Sequence, residues 1–173
     1  MQMSDKEIIE HVINGEKEYF KELMMRYENK VYKTAYGITM SVEDTKDVVQ
    51  DVFLKVYSNL ASFNYKSTFL TWLLRITYTT SIDIIKHRNK NKHDALNLNM
   101  AKNGEEHNVD KKIIMERALG KLTERERTVF LLHGRDGYKH REIADILGVR
   151  EGTVKALYFR SLDKLRSELE GKI

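Results

Sequence analysis

Residues 140–158 constrain this chain more than any other stretch. They read His140, Arg141, Glu142, Ile143, Ala144, Asp145, Ile146, Leu147, Gly148, Val149, Arg150, Glu151, Gly152, Thr153, Val154, Lys155, Ala156, Leu157 and Tyr158. Two helices that cross steeply need a small residue at the crossing, and Ala144 supplies it. The tight turn between them needs a residue that tolerates positive φ, a role for Gly148. Apolar side chains must lock the pair, and Ile143, Leu147, Val149, Val154 and Leu157 stand where that packing requires them. An ordinary helical hairpin does not need this combination. A helix-turn-helix does, and its second helix enters the major groove of DNA.

The faces of that second helix follow from its spacing. Val154, Tyr158, Leu162, Leu165 and Leu169 form a stripe for a core. Thr153, Lys155, Ala156, Phe159 and Arg160 lie off the stripe near the helix start, where base edges are read. Arg160 can donate to guanine or phosphate, and Phe159 can pack on thymine methyl groups. Gly152 and Thr153 are expected to leave backbone amides open to a phosphate.

The rest of the chain predicts an all-α protein. There is no proline, and no stretch keeps a period-2 alternation between turn signals. Ser4 to Glu7 forms a capping box before Ile8, Ile9, Val12 and Ile13, and Asn14-Gly15 closes that helix. A second helix is expected from Glu16 to about Thr39, with Phe20, Leu23, Met24, Tyr27, Val31 and Ala35 on its apolar side. Ser41 and Asp44 open a third, carrying Val48, Val49, Val52, Phe53, Val56, Tyr57 and Leu60. A fourth begins near Ser67 or Thr68 and is expected to end near Arg88. Asn89 to about Lys112 is polar, contains Gly104 and lacks aromatic residues, and is expected to be a flexible linker. A short helix over Lys111–Leu119, a capped helix from Thr123 to His133 and a loop at Gly134 and Gly137 lead into the helix-turn-helix.

Charge is unevenly spread. The net is only +4, but residues 1–60 carry 8 Lys/Arg against 11 Asp/Glu, residues 61–93 carry 6 against 1, and residues 113–173 carry 13 against 10. An acidic front and two basic segments suit a basic protein partner and a polyanion respectively. Without cysteine there is no disulfide and no thiolate chemistry. No apolar run reaches membrane-span length, and the first ten residues lack a signal-peptide core, which fits a cytoplasmic protein.

Two further segments carry chemistry. Phe63 to Ile76 mixes aromatics, hydroxyls and cations, the set needed to hold unpaired DNA by stacking beside a positive groove. Phe69, Leu73 and Ile76 are expected in the core; Trp72 and Tyr65 are candidates for base contact. On the preceding helix, Glu43, Asp44, Asp47 and Asp51 cluster. The i, i+3, i+7 spacing of Asp44, Asp47 and Asp51 can place three carboxylates on one face, either for a protein partner or, less favoured, for the magnesium of a nuclease.

In this order, the three features resemble the extracytoplasmic-function (ECF) group of bacterial sigma factors. Asp47 to Tyr57 is similar to that family's polymerase-binding helix, Ser67 to Ile76 to its promoter-melting segment, and Leu122 to Lys155 to its upstream-element reader. The resemblance implies two small helical domains, at 1–89 and 113–173, joined by a linker over 90–112. It implies that Asp47, Gln50 and Asp51 grip the clamp helices of core RNA polymerase. It implies that Asn64, Tyr65, Lys66 and Ser67, with Trp72, Arg75 and Thr79, capture a flipped base of the −10 element. Thr153, Lys155, Ala156, Phe159 and Arg160 would then read the −35 element. The family has no catalytic residues, no cofactor and no metal. It is commonly held inactive by an anti-sigma protein, often membrane-bound. This sequence departs from the family's common pattern at Ala156 and Leu157, at Thr79, and at Thr123, which replaces a proline. A helix-turn-helix repressor or activator that acts without polymerase is the competing reading; it leaves the acidic helix and the aromatic segment unexplained.

Overall fold

The computed structural model describes residues 3–95 and 111–170. Among these, the regular elements are helices: α1 (Asp5–Ile13), α2 (Phe20–Thr39), α3 (Val42–Asn59), α4 (Phe69–Ala95), α5 (Lys111–Gly120), α6 (Glu124–Phe130), α7 (His140–Leu147) and α8 (Glu151–Leu169), with short 3₁₀ turns at Lys17–Tyr19 and Leu60–Ser62. The all-α expectation holds.

The helix starts follow the capping chemistry read from sequence. The Ser4 hydroxyl accepts from the Glu7 amide, and the Glu7 carboxylate accepts from the Ser4 amide at 2.7 Å. Thr123 and Glu126 repeat that exchange at α6, and Ser41 caps α3 through the Asp44 amide. Gly148 closes α7 at φ 67, the left-handed conformation that the turn requires. Helix α4 outruns its expected end near Arg88 and stays helical to Ala95. Residues 89–95 are polar but contain neither Pro nor Gly, so nothing in them breaks the backbone ladder. The remainder of the expected linker lies largely outside the described residues. Helix α6 gives way to a wider π-type turn at Leu131–Arg135 rather than continuing regularly to His133.

Helices α1–α4 enclose one apolar core. Ile8, Leu23, Val31, Val48, Val52, Phe63, Phe69 and Leu73 are among its members. Helices α5–α8 have a small core of their own, built from Ala118, Leu122 and Leu165. A third cluster joins the two halves: Ile38, Leu74, Tyr78 and Ile85 from the first pack with Val129, Leu132, Ile143, Ala144, Ile146 and Val154 from the second. The joint is close. A Cβ added to Gly37 would lie 2.5 Å from Leu131 Cδ1. The buried Arg127 guanidinium donates to the Ile38 carbonyl at 2.8 Å, and Lys30 pairs with Asp136 at 3.1 Å. The sequence reading had two domains joined by a tether; it did not foresee that they share a core.

Candidate DNA and polymerase interfaces

The helix-turn-helix folds as its sequence demands. Ile143 and Val154 are fully buried and Ala144 nearly so, which lets α7 and α8 cross closely. Leu147, Val149 and Leu157 pack at the edge of the same cluster. On α8 the predicted stripe faces inward, with Val154 and Leu165 buried and Tyr158, Leu162 and Leu169 half-buried. Ser161 joins them, its hydroxyl donating to the Tyr158 carbonyl at 2.6 Å.

The predicted reading face is exposed throughout: Thr153, Lys155, Ala156, Phe159 and Arg160 all reach solvent, and Phe159 is 62% exposed. Arg160 has no ion-pair partner among the described residues, whereas Lys155 pairs with Glu151 at 2.8 Å. The amide expectation needs one correction. Thr153 N–H donates to the Arg150 carbonyl at 2.9 Å, closing the first turn, so it is not open to a phosphate.

Behind this face sits a stack that sequence reasoning missed. The rings of His133 and His140 lie 4.3 Å apart, and Tyr158 stands edge-on to His133. His133 Nδ1 is 2.7 Å from the Tyr138 carbonyl, while His140 Nε2 is buried without a partner. Burial first, then His133 and Lys155, push the His140 pKa down, so its ring stays neutral at pH 7.

The aromatic, basic segment splits between core and surface. Phe69 and Leu73 are buried, and Ile76 packs at the edge of the core, as expected. Trp72 does both jobs: its ring is 5.2 Å from Phe63 and 5.9 Å from Phe69, yet it is only partly buried. Tyr65 is exposed and sits at φ 58, a strained conformation for a non-glycine residue, with its ring 4.7 Å from Phe63. The Lys66 amide donates to Asn64 Oδ1 at 3.2 Å, tightening that loop. Asn64, Lys66, Ser67, Trp72 and Arg75 line one cleft of about 550 Å³. Thr79 lies outside its lining, with its hydroxyl donating back to the Arg75 and Ile76 carbonyls.

On α3, Asp47, Gln50 and Asp51 are exposed. Asp44 is not part of the same free face, because Arg88 of α4 binds it. The three-carboxylate face that a metal would need is thereby reduced to two. Of the residues on the apolar sides of α2 and α3, Val49 packs against the core, while Met24 and Tyr57 are exposed; all three line an apolar groove of about 650 Å³ between α2 and α3, together with Phe20, Tyr32, Phe53, Leu54 and Gln50. Leu54 is 59% exposed. The available signal was Leu54, an apolar residue out of register with the α3 stripe.

Comparison with known proteins agrees with this geometry. Residues 23–91 match the family model "Sigma-70 region 2", and residues 112–165 match "Sigma-70, region 4". The chain is 30% identical to the ECF RNA polymerase sigma-E factor of Escherichia coli K12 over 98% of its length and 96% of the relative's. It is 28% identical to the ECF RNA polymerase sigma factor SigW of Bacillus subtilis, covering 98% of each. In fold it is similar to RpoE of Bartonella quintana, solved with the anti-sigma factor NepR, at a TM-score of 0.73 and 21% identity, covering 89% of this chain and 98% of that one. It is also similar to CnrH, solved with the cytosolic domain of CnrY, at a TM-score of 0.72 and 23% identity, covering 98% and 99%. The chain belongs to the ECF family of RNA polymerase sigma factors, and its function is promoter-specific transcription initiation.

Proposed function

We propose that the α2–α3 groove, with Asp47, Gln50 and Asp51 beside it, is where this sigma factor docks on the clamp helices of core RNA polymerase. One observation carries the reading: Met24, Tyr32, Leu54 and Tyr57 are exposed together around a single apolar groove. Contiguous exposed apolar surface marks a protein interface, and the acidic rim selects a basic partner helix. The same groove suits an anti-sigma protein, which would then compete with polymerase.

The Asn64–Ser67 loop, Trp72 and Arg75 hold the opened −10 strand, and the exposed face of α8 reads the −35 element. Residues 1–89 and 113–173 serve as the two working domains, with 90–112 between them. Because α4 and α7 share a core in the free chain, the halves must part before both can engage a promoter. The chemistry belongs to polymerase; this chain contributes binding and positioning in the cytoplasm, with no catalytic residue of its own.

Titration of labelled core polymerase tests the docking. Leu54→Asp should weaken binding at least about tenfold, the effect of losing ~1.4 kcal/mol, and Gln50→Ala with Asp51→Ala should weaken it less. All positions are exposed, so circular dichroism should be unchanged. Unaltered affinity in both proteins removes the groove from the polymerase interface.

A further inference from the structure

The cleft at the Asn64–Ser67 loop has a wall that promoter melting does not call for. Arg141 and Asp145 of α7 complete its lining opposite Lys66, Trp72 and Arg75. These two residues belong to the half that reads upstream DNA, so the full cleft exists only while the halves are packed together. Among the described residues, none of Lys66, Arg75, Arg141 and Asp145 has an ion-pair partner. Three cations therefore face a single carboxylate, and the excess of positive charge favours an anion. Arg75, exposed on α4, reaches across to the helix-turn-helix turn: its Nη2 would be 3.3 Å from a Cβ at Gly148.

The chemistry of the walls narrows the anion. The half-buried Trp72 ring, backed by Phe63, offers a planar apolar surface, and guanidinium groups bind phosphate bidentately. A volume of about 550 Å³ falls within the ~300–1,000 Å³ typical of small-molecule sites. We propose that this cleft binds a nucleoside polyphosphate, its base against Trp72 and its phosphates between Arg75 and Arg141. A ligand held by both halves stabilises the packed chain by mass action and opposes the parting that promoters require. Binding itself stands on the cleft; the consequence for transcription rests on the promoter reading above.

Trp72 is the only tryptophan in the chain, so its fluorescence reports the site directly. Full-length protein titrated with GTP or ATP, followed by that fluorescence and by calorimetry, should saturate. Pyrophosphate or guanosine alone should bind at least about tenfold more weakly, having lost ~1.4 kcal/mol or more. Arg141→Ala should lower nucleotide affinity by about tenfold as a charged hydrogen bond is lost. Asp145→Asn should raise it, because a like charge is removed. Both residues are exposed on α7 and far from its packed side, so neither change should unfold the protein. No saturation at millimolar nucleotide, pyrophosphate binding as tightly as GTP, or an Arg141→Ala protein with unchanged affinity would each overturn the proposal. If nucleotide fails to bind while the protein still opens promoters with core polymerase, only the nucleotide site falls. If nucleotide binds but the nucleotide-free protein with core polymerase leaves promoters closed, the promoter reading falls instead.

Discussion

The two halves of the molecule hold themselves together differently. Helices α1–α4 surround a core rich in aromatic and branched residues, with no member from α5–α8. Helices α5–α8 own only the cluster around Ala118, Leu122 and Leu165, and the underside of the helix-turn-helix is covered by α4 and the end of α2. The first half has a core of its own, and Ile38, Leu74, Tyr78 and Ile85 complete the joint from its side. The second, in this arrangement, borrows its cover. The joint leaves the outer faces of α3 and α8 exposed and fixes where α8 stands relative to α4.

Leu73 and Leu74 are neighbours on α4, and both are fully buried, but they serve different halves. Truncating a buried Leu to Ala costs about 2–5 kcal/mol. Leu73→Ala should therefore destabilise both full-length protein and a fragment ending at residue 95 by that amount in urea unfolding. Leu74→Ala should destabilise the full chain by that amount and the fragment much less, because the partners from α6–α8 are then absent. Equal losses at Leu74 in both proteins would show that the joint adds nothing to stability.

Gly37 sharpens the comparison with opposite signs. In the fragment, Gly37→Ala should stabilise α2 by up to ~1 kcal/mol, the usual helical gain. In the full chain the new methyl meets Leu131 at 2.5 Å, and overpacking of this kind costs about 1–3 kcal/mol. The protein should relieve it by opening, seen as a larger radius of gyration in small-angle scattering. A compact, stabilised full-length variant would mean that α6 yields without parting from α2.

Acid should act mainly on the second half. Burial pushes the Glu126 carboxyl up, but Lys164 at 2.7 Å and the Thr123 amide and hydroxyl outweigh it and hold the group below its ordinary value. A depressed carboxylate contributes stability at neutral pH that is lost as pH falls through its folded value. His140 adds to this. Its folded pKa is lowered, so the unfolded chain takes up a proton first, and stability declines as pH drops below about 6.5. Amide hydrogen exchange should show protection falling in α6–α8 before α1–α3 as the pH is lowered from neutral to below 4.5. His140→Gln should flatten the upper part of that decline, and Glu126→Gln the lower. Simultaneous loss in both halves would mean that the joint transmits the titration to the whole molecule.

How much of this was legible depended on distance along the chain. Capping boxes at Ser4 and Thr123, the Gly148 turn and the α8 stripe are set within a few residues, where spacing and side-chain chemistry act directly. The reading face at Lys155, Phe159 and Arg160 could be found because it is what remains when the stripe is removed. The joint was not legible. Leu74, Ile38 and Ile143 look like ordinary core residues, and nothing local says that their core belongs to two domains. The groove was hidden for the converse reason: Met24, Val49 and Tyr57 keep helical spacing, yet a stripe too wide for its neighbours leaves one edge uncovered. Asp44 likewise has the spacing of Asp47 and Asp51, and only the path of α4 brings Arg88 to it.

The smallest effect on stability should have the clearest effect on sequence choice. Lys155 and Arg160 are both exposed, and exposed substitutions usually shift stability by less than ~0.5 kcal/mol. The Lys155–Glu151 pair is an exposed i, i+4 contact of the kind worth about 0.3–0.5 kcal/mol, so its loss should barely move unfolding. Their roles on DNA should still differ. Lys155 must leave Glu151 to reach a phosphate, a contact that serves every sequence alike, so Lys155→Ala should lower affinity uniformly and reduce the salt slope by about one unit. Among the described residues Arg160 has no ion pair to give up, and it can bind a guanine edge with both arms, a contact worth about 1–3 kcal/mol against the wrong base. Arg160→Ala should therefore relax preference at one or two positions of the −35 element, measured by transcription from a library of −35 variants. If both proteins lose activity evenly across the library, Arg160 contacts only backbone, and the base-reading side of α8 must lie nearer Ala156 and Phe159.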